Sequence, residues 1–444
     1  MQDDNENVCP DLLELRGWLK KKEPLNGLWH RRYCVLNENG FAIYKDDQMK
    51  EAEMVISLTP ELTIEKVFGT QFPRFMITLP TSTVYIFNAD SEEDLLRWIT
   101  GIQNMLQRTP LLSMAYFSII SVLGRGYFGK VMLVQNTSNG KLYAIKSIQK
   151  KSLIESRKSH TVIAERNVLM KAKHPFIVQL CFAFQTPIKF YLGLEYVSGG
   201  ELFFHMKQRK SLPIDDVRLY VAEIAHALSY LHSIGIVYRD LKPENVMLDA
   251  EGHIKLTDFG LAKELIHSDS TKTICGTSEY LAPEIILRID YSYEVDWWSL
   301  GILMCEMLTE TTPFSDKNQA KMFSDIVNSP PTFPAGLADD AIELISALLT
   351  KNPKNRPGFN QIQTYRFFDG LDWEKVYNRE YQPRFVPSVD STTSTKNFDR
   401  SFTNEEPADS IGQAAEGNFA GFSFAGSSFP INTMNGVSPS SPLI

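Results

Sequence analysis

Four polar residues in the middle of the chain have the types and the spacing that phosphoryl transfer requires. Asp240, Lys242 and Asn245 lie close together in the stretch YRDLKPEN, and Asp258 follows in TDFGLA. This reaction depends on positioning, on metal charge and on a group that orients the hydroxyl nucleophile. Asp240 can accept the hydroxyl proton, and Lys242 can offset charge on the transferred group. Asn245 and Asp258 offer the oxygen ligands that Mg²⁺ prefers.

A glycine-rich stretch, GRGYFGKV, lies far upstream of these carboxylates. Gly124, Gly126 and Gly129 would let the backbone approach phosphate groups that a Cβ atom would obstruct. The same spacing occurs in dinucleotide-binding folds, but those require a helix directly after the glycines. Here KVMLVQN and NGKLYAIK predict a β-hairpin instead.

Two charged residues complete the set. The predicted strand YAIK ends in Lys146, which follows apolar residues and could reach nucleotide phosphates. Further along, Glu165 lies in the helical stretch TVIAERNVLM, where it can hold Lys146 in an ion pair. A lysine on a strand is more commonly a solvated edge residue, so the prediction depends on the whole combination.

Taken in order, these elements resemble the protein-kinase signature, from the glycine-rich loop to the APE motif at residues 282–284. The resemblance covers residues 117–368 and implies two lobes, a β-rich small lobe and a helical large lobe. It also implies ATP and Mg²⁺ as cofactors and an ion pair between Glu284 and Arg356. It implies further residues around the nucleotide, with Leu194 as gatekeeper and a hinge after it: Leu123, Val131, Ala144, Leu194, Glu195, Val197, Glu201, Glu244 and Phe398. A pseudokinase scaffold is the alternative, but it normally lacks the lysine or one of the aspartates.

Several motifs resemble the AGC family of serine/threonine kinases, namely YRDLKPEN, GGELFFHM, GTSEYLAPE and DWWSLG. The resemblance implies that Glu201, Glu244 and Glu306 receive basic residues upstream of the phosphoacceptor. Protein substrates of the R-x-R-x-x-S/T type are therefore expected, because opposite charges across a groove fix the register. One departure is Ser278, which stands where the family usually has proline.

The resemblance also implies two phosphorylation sites, modified by upstream activating kinases. The first is Thr273 in STKTICGTSEY, where a phosphate would pair with Arg239 and Lys263. The second is Ser423 in FAGFSF, which fits the AGC hydrophobic motif. Its phenylalanines would fill a groove beside the helix of Glu165. The alternative for FAGFSF is residual hydrophobicity in an irregular end.

The first hundred residues predict a separate domain. Residues 14–90 alternate short β-rich runs with turns, and 91–107 change to a helical period with Ser91 as cap and Trp98 on the apolar face. The pattern resembles a pleckstrin homology domain, a small sandwich or barrel plugged by a helix. The resemblance implies that its first hairpin binds the head group of phosphoinositide membrane lipids. The basic residues of that site would be Lys21, His30, Arg31 and Arg32. A solvated hairpin, or a domain that binds protein, is the alternative.

The whole chain is therefore expected to be a multidomain α+β protein. Its predicted parts are a pleckstrin homology domain at 12–108, a linker at 109–116, a kinase domain at 117–368, an AGC tail at 369–426 and an irregular end at 427–444. This arrangement resembles the Akt (protein kinase B) family, while EEPADSIG and GFSF in the tail resemble serum- and glucocorticoid-regulated kinases.

Composition sets the remaining expectations. The chain has 444 residues, of which 43% are hydrophobic and 22% charged, and a net charge of −8. The acidic balance argues against a nucleic-acid partner, and the five scattered cysteines favour reduced thiols. Without an apolar run of transmembrane length, a cytoplasmic monomer is expected, recruited to the plasma membrane and able to enter the nucleus. The alternatives are a cytosolic kinase without lipid binding and a non-catalytic membrane adaptor.

Overall fold

A computed structural model describes most of the chain. The described residues are 15–23, 27–37, 40–56, 58, 62–79, 83–108, 112–126, 129–156, 158–209, 212–265, 270–273, 275–414, 419 and 422–425. They form an N-terminal domain, which ends with the helix before residue 109, and a larger domain that begins at residue 117.

The N-terminal domain is one antiparallel sheet followed by a helix, α1 (Glu92–Arg108). Its strands are β1 (Leu15–Lys22), β2 (Trp29–Asn37), β3 (Gly40–Tyr44), β4 (Ala52–Ile56), β5 (Thr63–Val67), β6 (Arg74–Thr78) and β7 (Val84–Asn88). They lie in the order β4-β3-β2-β1-β7-β6-β5. Alternate side chains point to one face, as in any strand, and that face forms the core under α1.

The predicted helix and its cap are confirmed. The Asp94 amide donates to the Ser91 hydroxyl at 3.0 Å, which begins α1. Trp98 is completely buried and meets Phe41 edge to face, with ring centroids 5.5 Å apart. Six of the seven strands coincide with β-rich runs of the sequence, namely LRGWLKKK, RRYCVLN, GFAIYK, MVISL, FMITL and TVYIFNA, but Thr63–Val67 was not predicted. Its sequence, TIEKV, carries two charged residues and gives only a weak β signal.

The first part of the larger domain is an antiparallel sheet with two helices. Its elements are β8 (Phe117–Gly126), β9 (Gly129–Asn136), β10 (Leu142–Gln149), α2 (Lys150–Glu155), α3 (Ser159–Lys171), β11 (Leu180–Gln185) and β12 (Lys189–Glu195). The strand order is β11-β12-β10-β9-β8. Because β9 pairs with both β8 and β10, two consecutive hairpins form here. The predicted hairpin is confirmed, and no helix follows the glycines directly, as a dinucleotide fold would require.

The second part of the larger domain is helical. Its helices are α4 (Leu202–Gln208), α5 (Ile214–Ser233), α6 (Pro283–Ile286), α7 (Glu294–Thr309), α8 (Gln319–Asn328), α9 (Asp339–Leu348), α10 (Phe359–Ile362) and α11 (Trp373–Tyr377). Two short strand pairs accompany them, β13 (Ile236–Val237) with β16 (Lys263–Glu264) and β14 (Val246–Leu248) with β15 (Ile254–Leu256). Helix α7 is buried along nearly its whole length and forms the centre of this part.

One buried ion pair was predicted from the sequence and is present. Arg356 donates from Nη1 and Nη2 to the two carboxylate oxygens of Glu284, at 2.7 and 3.1 Å. Both side chains are almost completely shielded from solvent. Removing one partner of such a pair leaves a buried charge and costs about 3–5 kcal/mol. The pair therefore fixes α6 to the segment before α10.

The tail after α11 contains one short helix and one short strand, α12 (Arg400–Thr403) and β17 (Phe424–Ala425). Strand β17 pairs with β11, so that Ala425 lies opposite Phe182 and Phe424 opposite Ala183. Among all described residues, no helix is both long enough and apolar enough to span a bilayer.

Candidate active site

A cavity of about 640 Å³ opens in the larger domain between the sheet and the segment around β14. It is lined by every residue that the sequence predicted around the nucleotide: Leu123, Gly124, Gly126, Gly129, Val131, Ala144, Lys146, Glu165, Leu194, Glu195, Val197, Glu201, Glu244 and Phe398. Lys242, Asn245 and Asp258 line it as well. The structure thus brings these residues together, while their individual roles stay predictions.

One end of the cavity is an apolar slot closed by the tail. Phe398 is buried against Leu123 and Leu133, and its ring lies nearly parallel to that of Tyr196 at 6.1 Å. The tail can approach here because residue 200 is glycine. Gly200 has a φ of +78°, and a Cβ added to it would lie 2.1 Å from the backbone oxygen of Asn397 in the tail. Such a slot suits a flat aromatic base.

The three predicted phosphate-binding glycines differ in the space around them. A Cβ at Gly129 would lie 1.7 Å from the Ser147 carbonyl oxygen, so the sheet itself requires glycine there. A Cβ at Gly124 would meet no atom of the described residues within 4 Å, and at Gly126 only one at 4.0 Å. Protein packing therefore does not explain these two glycines, which leaves room beside them for a ligand.

The other end of the cavity is charged. Lys146 Nζ lies 2.7 Å from Glu165 Oε1, so the predicted ion pair is present, and 2.9 Å from Asp258 Oδ1. Burial alone would lower the pKa of Lys146, but Asp258 and Glu165 outweigh it and raise that pKa. The positive charge of Lys146 in turn holds the pKa of Asp258 below its usual range. Both groups are therefore charged at neutral pH.

Asp258 and Asn245 fit a magnesium ion. Half of the Asp258 side chain is exposed, so it keeps an accessible oxygen beside Lys146. Asn245 donates from Nδ2 to Asp240, which leaves its side-chain oxygen available. Within the described ranges, no three His, Cys, Asp or Glu residues cluster as a metal site. Mg²⁺ usually takes one or two carboxylates from a protein and completes its shell with water and substrate phosphates, so Asp258 and Asn245 suffice to hold it.

Asp240 lies beside the cavity and is held from several sides. Asn245 Nδ2 donates to its Oδ2 at 2.8 Å, and Lys242 Nζ lies 3.1 Å from the same oxygen. Lys242 also donates to the Thr277 hydroxyl at 3.1 Å. Burial raises the pKa of Asp240, and Lys242 only partly offsets that rise. The result is an oriented carboxylate that is more basic than an ordinary aspartate.

Strained backbone accompanies this arrangement. Arg239 and Asp258 have φ angles of +69° and +50°, a region that residues other than glycine rarely occupy. The buried carboxylate of Asp296 stabilises the first of them, because it accepts hydrogen bonds from the amides of Tyr238 and Arg239 at 2.9 and 2.8 Å. Sequence analysis did not identify Asp296 as a site residue. The only signal was its place in DWWSLG.

Of the three glutamates predicted to bind substrate, Glu244 acts electrostatically on both others. Burial raises the pKa of Glu201, and the charge of Glu244 raises it further. Burial also raises the pKa of Glu306, again with a contribution from Glu244. The Tyr280 hydroxyl donates to Glu306 and fixes its position. Carboxylates that repel one another in this way favour a cationic ligand.

The predicted phosphosite Thr273 lies close to its predicted cationic partners. Tyr291 donates to the Thr273 carbonyl oxygen at 2.5 Å and accepts from Arg239 Nη1 at 3.2 Å. Lys263 Nζ donates at 2.7 Å to the hydroxyl of Thr271, two residues away. Residues 266–269 and 274 of the same loop lie outside the described part of the chain.

The second predicted phosphosite, Ser423, is half-buried next to Phe422, which is 1% exposed. Gln185 at the end of β11 donates to the Phe419 carbonyl oxygen at 2.7 Å. Phe419 therefore lies beside β11, with which β17 also pairs. Burial of Phe422 argues against residual hydrophobicity in an irregular end.

The predicted lipid-binding residues of the N-terminal domain divide between two faces. Lys21 lies opposite His30, and Lys20 lies opposite Arg31. Because side chains alternate along a strand, Lys21, His30 and Arg32 share one face and Arg31 lies on the other. The structure thus brings together three of the four residues.

The cations of this hairpin already have partners. Lys21 Nζ lies 3.1 Å from Glu23, and Arg32 Nε lies 2.5 Å from Glu53. On the opposite face, the Arg31 guanidinium stacks over Trp18. No sequence motif pointed to Glu23 or Glu53, since neither belongs to the basic pattern.

Comparison with known families gives three matches. The protein kinase domain family matches residues 117–368, the PH domain family residues 13–107, and the protein kinase C terminal domain family residues 389–424. The chain is 42% identical to the mouse serine/threonine-protein kinase Sgk2 over 324 residues, which are 70% of this chain and 88% of that protein. It is 44% identical to chicken serine/threonine-protein kinase Sgk1 over 306 residues, 68% of this chain and 71% of the other. It is 41% identical to yeast serine/threonine-protein kinase YPK1 over 328 residues, 72% of this chain and 48% of the other.

Proposed function

The chain belongs to the AGC group of serine/threonine protein kinases and carries an N-terminal PH domain, and from this premise we propose how its own residues act. It transfers the terminal phosphoryl group of ATP to serine or threonine in arginine-containing protein segments. The observation that carries this proposal is the cavity in which Lys146, Asn245 and Asp258 meet, with Asp240 beside it. Positioning and electrostatics are what phosphoryl transfer demands of a protein.

Asp240 is the group that accepts the proton of the substrate hydroxyl. Asn245 and Lys242 hold its carboxylate in one orientation, and burial makes it a better base. Lys146, fixed by Glu165, supplies positive charge at the phosphate end of the cavity. Asn245 and Asp258 would hold Mg²⁺, which when bound offsets negative charge on the phosphate oxygens. Lys242 lies between the base and Thr277, where it offsets charge on the transferred group.

Substrate selection follows from the acidic side of the site. The carboxylate of Glu244 repels those of Glu201 and Glu306, and arginine side chains upstream of the phosphoacceptor would relieve that repulsion. An arginine can engage a carboxylate with two parallel hydrogen bonds, so it is preferred to lysine. The expected substrate pattern is R-x-R-x-x-S/T.

Two phosphorylations regulate this activity. Arg239 and Lys263 already donate to Tyr291 and Thr271, which lie next to Thr273. Phosphate on Thr273 would attract both cations and would order the activation loop. Burial of the Phe422 side chain already attaches the hydrophobic motif to the fold. Phosphate on Ser423 would strengthen that attachment.

The PH domain recruits the kinase from the cytoplasm to the plasma membrane through a phosphoinositide head group. Lys21, His30 and Arg32 share the face that binds the phosphates, and Glu23 and Glu53 must give way to them. Arg31, on the other face, contacts the membrane surface instead of the same head group. The alternative is a cytosolic kinase whose PH domain binds protein.

A phosphate-transfer assay with matched peptides tests the proposal. The full chain is given radiolabelled ATP, Mg²⁺ and a peptide of the R-x-R-x-x-S type, or the same peptide with alanine for each arginine. We expect transfer to the first peptide at a rate at least about tenfold higher. The variant Asp258→Ala, which removes the proposed magnesium ligand, sets the background. Wild-type signal equal to that background would favour a non-catalytic adaptor.

Lipid recruitment is tested by co-sedimentation with vesicles of phosphatidylcholine, with or without a phosphoinositide. We expect the full chain to sediment only with phosphoinositide vesicles and to lose that binding in Arg32→Ala. Exposed Arg400→Ala removes an arginine outside the PH domain and serves as control. Absence of binding to any phosphoinositide would support the alternative in which the PH domain binds protein.

A further inference from the structure

The tail passes the mouth of the cavity, and its first attachment there is made by Asn397, close to the hinge. Asn397 donates from its side chain to the backbone oxygens of Ser198 and Ser388, at 3.3 and 3.1 Å. The next residue, Phe398, is the one that closes the apolar slot. Asp399 then caps the short helix α12 by accepting from the Ser401 amide at 2.8 Å. This start of the segment is therefore fixed.

A second attachment joins the tail to the glycine-rich stretch itself. Arg125, between Gly124 and Gly126, donates from Nε and Nη2 to the two carboxylate oxygens of Glu405, at 2.8 and 2.7 Å. Two parallel hydrogen bonds fix the direction of the guanidinium as well as its distance. Hydrogen bonding from Arg125, helped by its charge, also holds the pKa of Glu405 below its usual range, so the carboxylate is ionised at neutral pH.

A third attachment follows four residues later. The carboxylate of Asp409 accepts from Lys189 Nζ at 2.6 Å, from the Tyr191 hydroxyl at 2.8 Å and from the Ser147 hydroxyl at 3.1 Å. Lys189 is only 2% exposed, so its ammonium depends on this partner and on the Ser410 carbonyl oxygen. The tail is thus held to β10 and β12 just beyond Glu405.

With both flanks held, Glu405 is a fixed point from which Arg125 can be positioned. A glycine-rich loop has more conformational freedom than other segments, and each free residue loses entropy when a ligand orders it. We propose that Glu405 is a positioning residue for ATP, acting through Arg125 to hold the glycine-rich stretch in its ligand-binding conformation. The inference rests on the proposed ATP site and adds a contact of the tail to it.

The ion pair is exposed, so its effect should be modest and sensitive to salt. Surface pairs contribute little unless their geometry is bidentate or part of a network, and this one is bidentate. Its contribution should also fall when the ionic strength rises, because screening weakens exposed charges. A purely structural role would change the stability of the fold and leave nucleotide affinity unaffected.

Charge reversal provides the test. Glu405→Gln, Arg125→Glu, Glu405→Arg and the double variant Arg125→Glu/Glu405→Arg are compared with the wild type. For Glu405→Gln we expect KM for ATP to rise about threefold, while kcat with a saturating peptide changes less than twofold. Both single reversals should raise KM further, and the double reversal should bring it back towards the wild-type value. Glu406→Gln, a neighbour for which the described residues provide no ion pair, should leave KM unchanged.

Equilibrium ATP binding separates this inference from the proposed function. If Glu405→Gln binds ATP as tightly as the wild type, or if the double variant is no better than its single parents, the positioning role is wrong. If the wild type itself fails to bind ATP in the presence of Mg²⁺, the proposed function fails and the inference fails with it. Equal thermal unfolding temperatures for all variants would show that the KM effects do not arise from misfolding.

Discussion

Basic side chains are paired in opposite ways in the cavity of the kinase domain and in the first hairpin of the PH domain. In the cavity, one cation, Lys146, is shared by two carboxylates, Glu165 and Asp258. In the hairpin, Lys21 and Arg32 each lie beside a separate carboxylate, that of Glu23 and that of Glu53. The cavity therefore has an excess of carboxylate oxygens for a metal ion. In the hairpin, by contrast, two of the cations predicted to bind an anion already have a carboxylate partner.

This difference has an energetic consequence. Charges that are already oriented towards an open cavity need no rearrangement when a ligand binds. A cation that is paired with a neighbouring acid must exchange that partner for a phosphate, and only the difference between the two interactions contributes to binding. The kinase site is thus preorganised, while the proposed binding of a phosphoinositide would require its phosphates to compete with Glu23 and Glu53.

Removing the charge of Asp258 should have the largest effect. Asp258→Asn keeps the size of the side chain but removes the anionic oxygen proposed to hold Mg²⁺, so kcat with an arginine-containing peptide should fall about 10²–10³-fold. The rate is measured with radiolabelled ATP at saturating Mg²⁺. Asp369→Asn, at an exposed position without an ion pair in the described ranges, is the matched control and should retain full activity. Turnover of Asp258→Asn within tenfold of the wild type would contradict the proposed role.

The pH dependence of kcat should reveal the state of Asp240. Burial raises the pKa of this carboxyl, and the proposed base acts only when ionised. Activity should therefore be complete above that raised pKa and fall about tenfold per pH unit below it. A profile of kcat against pH should place this acid limb above the usual aspartate pKa of about 4. An acid limb at the ordinary value would show that burial does not tune the base.

The smallest effect is expected in the first hairpin of the PH domain, where neutralising Glu53 should improve binding to phosphoinositide vesicles. Glu53→Gln frees Arg32 from its partner and should tighten binding to phosphoinositide vesicles about two- to fivefold. Affinity is measured by vesicle titration of the full chain. Glu51→Gln removes an exposed glutamate nearby and should leave affinity unchanged if net charge alone is unimportant. Equal tightening in both variants would mean that general charge, and not the Glu53 pair, limits binding.

The sequence predicted those contacts that lie within recognisable motifs. The spacing of Lys146 and Glu165 placed one on a strand and the other on the next long helix, so their ion pair could be expected. Ser91 and Trp98 likewise identified the cap and the buried face of a helix, because a serine at the start of a helix is a typical cap and the apolar residues after it recur with the helical period. In each case the pattern itself contains both partners.

Contacts between a motif and an unremarkable residue could not be predicted in this way. Nothing in the sequence around Glu53, Glu405 or Asp409 indicates a basic partner, and only the folded chain brings them to Arg32, Arg125 and Lys189. The sequence also did not predict that Arg31 would lie on the opposite face of the hairpin from Lys21, His30 and Arg32. This division depends on the register of β1 against β2, in which a shift of one residue would exchange the faces.

The most direct test of the account is a single-turnover measurement on Asp240→Asn. Enzyme in excess over radiolabelled ATP is mixed with an arginine-containing peptide, and ATP binding is measured separately at equilibrium. Because Asp240 lies beside the ATP cavity and is proposed to act on the substrate hydroxyl, we predict ATP binding close to that of the wild type. The rate of phosphate transfer should fall at least about 100-fold, the effect typical of a lost general base. Transfer at the wild-type rate would contradict the assignment of Asp240 and the proposed mechanism built on it.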